Sequence, residues 1–366
     1  MTTAMLDDTL LADPRALAAL DTGGVLRAAA TAGAQVRSVA ESAAEAGVAR
    51  LAGMRPRALV LLARPGASVP AAAILTALLG AACPVPIVTL PTAPSWVGPL
   101  DVVVAHTADG ADTELADAIA RANGRGAEVV LSAPSDGPVM AAGAGRVRLV
   151  EQRIPVPPGL DLARALAVGF VTAAALDLLP LEPGMDSLAD TLDLEAERNQ
   201  PGHEPFMNPA KTLALRLAEH TPLLWGTDAP AAAVAAHAAG ALAVHAGVVA
   251  HADDVGRAAL ATGLRRALDR AAATRDVFHD PFEDGDVGAG ALPPRLVLLA
   301  TDEEDPGQAV VRRTGRTWPS ADVLHPVEEI PRGTRNAALL RAALLASRFD
   351  AAAAYLGLAT RIIEPA

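Results

Sequence analysis

Short apolar runs, each bounded by Gly, Pro or Asp, alternate with helix-period segments along the first half of this 366-residue chain. The runs are Ala58–Ala63, Val85–Leu90, Asp101–Ala105, Ala127–Leu131 and Val147–Val150. Strands this short, apolar throughout and separated by helices, predict a parallel sheet covered on both faces. Helices are expected over 71–79, over 112–123 with a stop at Gly124-Arg-Gly126, and over a long buried stretch, 162–179. Residues 8–52 alternate Ala, Leu and Val with Arg, Asp and Glu at helical spacing, which predicts two or three amphipathic helices.

The pattern restarts after an acid- and Pro-rich segment, 181–206, read as an amphipathic helix and a connector. A helix over 209–220, a strand at Pro222-Leu-Leu-Trp225 and an Ala-rich helix from Ala231 to about Val244 open a second α/β set. Strands at 295–301 and 323–326 and a helix over 334–358 complete it. The expected organisation is a first domain over 1–180, a connector over 181–206 and a second domain over 207–366. Residues 275–290 show no periodicity and read as an acidic loop.

Composition narrows the function classes. Hydrophobic residues make up 51% and aromatics only 2%, so the cores must be built from Ala, Val and Leu. A net charge of -12 opposes nucleic-acid or acidic-membrane binding, which needs clustered Lys and Arg. The single cysteine, Cys83, permits no internal disulfide and fits a reducing, cytoplasmic location, where a core thiol is expected. The N-terminal MTTAMLDDTLLAD is acidic and does not read as a signal peptide. The uncharged stretch between Arg64 and Asp101 carries Pro84, Pro86, Pro91 and Pro94, so it reads as helix, strand and loop rather than a membrane span.

Two turns follow strands in positions suited to an anion. Ala63-Arg-Pro-Gly-Ala-Ser68 supplies Gly66 and Ser68, flanked by Pro65 and Pro70. Ala105-His-Thr-Ala-Asp-Gly-Ala-Asp-Thr-Glu114 offers a helix N-terminus together with Thr107, Gly110 and Thr113. Asp109 and Asp112 would repel a phosphate, and the competing reading makes Asp112 the helix cap, with Glu114 in the first turn. No Gly-x-Gly-x-x-Gly or Walker sequence occurs, so no cofactor is expected. His237, His245 and His251 lack metal-ligand spacing, and no metal site is expected.

The order strand, Gly/Ser turn, helix, strand, Thr-rich turn, helix resembles a sugar isomerase (SIS) domain. Phe206-Met-Asn-Pro-Ala-Lys-Thr-Leu-Ala-Leu-Arg-Leu resembles the domain junction of bifunctional phosphoglucose/phosphomannose isomerases, and 94–103 and 348–356 resemble further stretches of the same family. The resemblance implies two tandem SIS-like, doubly wound α/β domains with parallel sheets flanked by helices, and a homodimer. It also implies glucose 6-phosphate, mannose 6-phosphate or fructose 6-phosphate as ligand, with Gly66, Ser68, Thr107, Gly110 and Thr113 at the sugar phosphate. Arg164 matches the family's catalytic Arg, with a surface or capping role as the alternative. Leu242-Ala-Val-His-Ala-Gly247 places Val244 where the family has its base Glu, and Val abstracts no proton. The ring-opening His has no clear match, leaving His251 and His279 as nearby candidates. The expected function is therefore a sugar-phosphate-binding SIS protein with isomerase chemistry lost or reduced. The alternative is an active isomerase that recruits Glu114, Glu204 or Glu219 as base and His106, His220 or His251 as acid.

Overall fold

The structure, a computed structural model, describes residues 6–143, 145–179, 184–273 and 292–363. The chain forms two compact units: Arg27–Glu197, and Met1–Leu26 together with Arg198–Ala366. The acidic segment 275–290 lies outside the described residues.

In the unit Arg27–Glu197, five strands form one parallel sheet: β1 (Ala58–Leu62), β2 (Ile87–Leu90), β3 (Asp101–His106), β4 (Glu128–Ser132) and β5 (Arg148–Leu149). Their order is β2-β1-β3-β4-β5, and every pairing is parallel. All five residues of β1 and all six of β3 are buried, as expected of strands covered on both faces. One face packs Val60, Val103, Val129 and Leu131 against Leu115, Ile119 and Ala122 of the helix Thr113–Gly124. The helices Ser68–Leu79 and Ala32–Glu45 each pack on Leu162–Ala175, which also lies on β3 and β4. A Cβ on Gly169 would stand 2.8 Å from Leu75 Cδ2, so this glycine sets how closely those helices approach.

In the other unit, β6 (Thr221–Gly226), β7 (His251–Asp254), β8 (Pro294–Leu299) and β9 (Asp322–Leu324) form a parallel sheet ordered β7-β6-β8-β9. Trp225 is fully buried beneath Leu223, Val255, Leu296 and Leu298, with Trp318 edge-on at 5.3 Å. The helix Ala337–Ala359 is buried along its length and packs on Ala229–Ala246 and Pro209–Leu217. By length and composition it would pass for a membrane span, but its burial makes it a core helix. The only lysine, Lys211, is also buried. Its Nζ donates to the Pro201 and His203 carbonyls at 2.7 and 2.8 Å and sits 5.5 Å from the Tyr355 ring centre. Tyr355 Oη in turn donates to the Asn199 carbonyl at 2.7 Å. Burial lowers the Lys211 pKa, opposed by Glu204. The junction segment is thus tied to the core helix by buried polar contacts.

Three local expectations change. Residues 8–52 form the α-helices Asp8–Leu11, Pro14–Leu20, Val25–Ala29 and Ala32–Glu45 and a 3-10 turn, because Asp-Pro and Gly breaks divide the segment. The last helix starts at Ala337, not 334, because Asn336 takes φ +55. Cys83 is half-buried in the turn after Ser68–Leu79, not a core thiol.

Two consequences can be measured. A Cβ at Gly357 would lie 1.9 Å from the His245 carbonyl oxygen, where two long helices cross backbone to side. Gly357→Ala is expected to cost at least about 1–3 kcal/mol in denaturant unfolding. Burial also holds His245 below its ordinary 6.5, opposed by Asp350 and reinforced by His237. The unfolded chain therefore takes up that proton at higher pH than the folded unit does, so acid favours unfolding from about 6.5 downward. Hydrogen exchange of the 337–359 helix should show its opening free energy falling over that range, and His245→Leu should shrink the fall.

Candidate functional site

In a doubly wound sheet, ligands sit outside the carboxyl ends of the strands where the order reverses. In the first sheet β2 and β3 lie on opposite sides of β1, so the crevice lies between β1 and β3. The turns that border it are those singled out from sequence. Gly66, Ser68, Thr107, Gly110 and Thr113 all fall on these two turns or at the starts of their helices.

The crevice is occupied by the chain itself. Arg64 Nε donates to Asp112 Oδ2 at 2.7 Å and Nη2 to Asp112 Oδ1 at 3.1 Å, a forked pair joining the two turns. Arg64 Nη1 also donates to Glu114 Oε2 at 2.7 Å. The Arg64 and Asp112 side chains are 16% and 12% exposed and Glu114 is 76% exposed, so the inner pair is shielded and the outer one is wet. Asp112 is the N-cap of Thr113–Gly124, accepting from the Leu115 N–H at 2.9 Å. A carboxylate thus takes the place at the helix N-terminus that an anion would fill. Burial raises the Asp112 pKa, but Arg64 and the Leu115 N–H outweigh it and hold the carboxyl below its ordinary 3.8.

The other turn residues are engaged locally. Ser68 Oγ donates to the Arg64 carbonyl at 2.6 Å. Thr107 Oγ1 accepts from the Asp109 N–H at 3.0 Å. Gly66 has φ +110, a conformation that suits glycine. A Cβ on Gly110 would meet the Asp136 carbonyl at 2.7 Å, so this glycine serves loop-to-loop packing. Thr113 is exposed.

Behind the turns lies a buried polar cluster. Arg164, in the first turn of Leu162–Ala175, is 4% exposed and donates to Gln152 Oε1 at 3.1 Å and to the Ile154 carbonyl. Gln152 Nε2 donates to the Thr107 carbonyl at 2.7 Å, so Arg164 reaches the second turn through Gln152. Burial lowers the Arg164 pKa, opposed by Asp161. Asp161 Oδ2 is 2.8 Å from His106 Nε2, and both residues are nearly inaccessible. Burial pushes Asp161 upward, but the His106 hydrogen bond and charge more than offset it, leaving the carboxyl below 3.8. Sequence reasoning did not find Gln152 or Asp161. A polar residue next to a candidate Arg is weak evidence, and only the fold brings Gln152 to Thr107.

The second sheet repeats the arrangement. Its order reverses at β6 and β8, and Asp228 stands after β6 as the cap of Ala229–Ala246. Its carboxylate accepts from the Ala231 N–H at 2.9 Å, the Thr301 N–H at 2.7 Å, Thr301 Oγ1 at 2.6 Å and the Asp302 N–H at 3.2 Å. His251 begins the edge strand β7, where its Nδ1 accepts from Trp225 Nε1 at 3.2 Å. That strand was not expected, because His-Ala-Asp-Asp is too polar to read as one. Val244 is 63% exposed. His220 bonds the Ala218 carbonyl at 2.7 Å. Among the described residues, no three His, Cys, Asp or Glu side chains converge as metal ligands.

No protein-family model and no curated protein matches the sequence. Solved structures match at low identity over most of both chains. A Silicibacter pomeroyi protein with a provisional phosphosugar isomerase name is 15% identical, at TM-score 0.58, covering 93% of this chain and 99% of that one. The C-terminal domain of glucosamine-fructose-6-phosphate aminotransferase from Francisella tularensis is 8% identical, at TM-score 0.58, covering 92% and 96%. Tagatose-6-phosphate ketose/aldose isomerase from Escherichia coli is 11% identical, at TM-score 0.52, covering 91% and 90%. At identities this low the likeness shows the fold alone, a doubly wound α/β fold shared with these structures.

Asp112→Ala removes a cap and the carboxylate of a shielded pair. It is expected to lower stability by about 1–2 kcal/mol, measured by urea unfolding at neutral pH. Because the Asp112 and Asp161 carboxyls titrate below their unfolded value of 3.8, their contribution is present above that pH and is lost as pH falls further. The gap between wild type and Asp112→Ala should therefore narrow below about pH 4.

Proposed function

We propose that this chain is a SIS-type protein that binds a sugar phosphate without aldose–ketose isomerase chemistry. The observation that carries the reading is the Arg64 fork on Asp112 at the β1/β3 crevice. Asp112 keeps the helix N-terminus closed, so the group available to a phosphate is Arg64 Nη1, whose partner Glu114 is exposed and displaceable. Ligand phosphate docks on that outer edge, near the exposed Thr113 hydroxyl. The names of the matched structures support phosphosugars as the ligand class, and glucose 6-phosphate, mannose 6-phosphate and fructose 6-phosphate are the members to test first.

What enolisation demands supports the reading without isomerase chemistry. A carboxylate must take a proton from carbon, and donors must meet the developing oxyanion. Val244 cannot serve as base. Arg164 is committed to Gln152 and Ile154, and the His251 Nδ1 lone pair is committed to Trp225. A homodimer belongs to the same reading. The exposed face of Ala229–Ala246 carries Ala229, Ala236, Gly240, Ala243 and Val244 with no charge, which suits close helix packing by a second copy.

Two assays separate the parts of this proposal. Coupled assays with the three sugar phosphates should give no turnover. A kcat near about 1 s⁻¹, the low end for enzymes, would restore the active-isomerase reading. Titration with the same ligands should show saturable binding that tightens about two- to fivefold in Glu114→Gln, the effect of removing one exposed competing charge. Unchanged affinity would place the ligand elsewhere.

A further inference from the structure

A small cavity of about 30 Å³ lies in the first unit, between the sheet and the helices Ser68–Leu79 and Leu162–Ala175. Its walls are apolar, among them Leu61, Leu75, Val104 and Gly169, except for Ser68 and His106. His106 is 4% exposed, and its Nδ1 is buried without a hydrogen-bond partner. The other ring nitrogen is settled by Asp161, because an ionised carboxylate only accepts and Nε2 must donate to it. Nδ1 is then a bare lone pair or a second N–H. Either form is costly to bury unpaired.

The cavity supplies the remedy. A water needs roughly 10–15 Å³ of such space and at least two polar partners. Ser68 Oγ already donates its one hydrogen to the Arg64 carbonyl, so it faces a neighbour as an acceptor. We propose that this cavity binds one ordered water bridging Ser68 Oγ and His106 Nδ1. The water donates one hydrogen to Ser68. With its other hydrogen it serves an Nδ1 lone pair, or its oxygen accepts a hydrogen bond from an Nδ1–H. A continuous chain then runs from the Arg64 carbonyl through Ser68, the water and His106 to Asp161. Beside it, Gln152, itself held by Arg164, donates to the Thr107 carbonyl. Both turns of the crevice are thereby anchored from behind by one polar network, whether or not a ligand binds in front.

Protein–water NOE spectroscopy on the full-length, isotopically labelled protein tests this. The expected result is a cross-peak between His106 Hε1 and water, with the sign of a long-lived buried molecule. Ser68→Ala, which removes one of the two partners, should weaken the peak severalfold while the His106 Hε2 proton stays protected by Asp161. Absence of the water cross-peak in the unmutated protein would overturn the proposal, as would full intensity in Ser68→Ala.

Discussion

The arrangement on which the rest of the site depends is an aspartate carboxylate seated at a helix N-terminus in a strand-order reversal. Asp112 holds that place in one unit and Asp228 in the other. Each answers backbone N–H groups that would otherwise present a partial positive charge to solvent. Their surroundings differ in one respect that matters for function. Asp112 is forked by Arg64, whereas the bonds to Asp228 come from backbone N–H groups and the Thr227 and Thr301 hydroxyls. At the second crevice Arg313 and Arg341 donate to the carbonyls of Thr227, Thr301 and Asp302 rather than to the capping carboxylate, so the arginine that could exchange one anion for another is Arg64.

Close backbone approaches and buried polar ties support the turns in each unit. Gly110 lets the second turn lie against the loop after β4, and Gln152 fixes its backbone. In the other unit, Gly357 brings two long helices into close contact and Lys211 draws the preceding segment onto Tyr355. These contacts replace the aromatic packing that the composition withholds. A core of Ala, Val and Leu fills less volume per residue, so close helix approach and buried polar ties become more important.

The legible part of the sequence was its alternation of apolar runs and helices, which is set by local burial and gives the parallel sheets directly. Asp112 was legible as a helix cap for the same local reason. What escaped were features made by distance. Arg64 opens an uncharged stretch and looks like a boundary marker, yet it meets a carboxylate 48 residues later. His106 and Asp161 are 55 residues apart and become a pair only when β3 and the Leu162–Ala175 helix stack. The strand β7 was missed because an edge strand carrying His251 and two aspartates has no apolar signature. Arg164 was singled out from sequence, but not its commitment to Gln152 and Ile154, since burial of a guanidinium depends on partners that no motif specifies.

The chain's own carboxylates hold both crevices, and a crystal structure of the unmutated protein soaked in phosphate is the decisive check. Asp112 should remain on the Leu115 N–H and Arg64, Asp228 on its Ala231 and Thr301 donors, and any phosphate should be confined to the outer edge of Arg64. Phosphate oxygens on the Leu115 or Ala231 N–H, with the corresponding aspartate swung away, would contradict it.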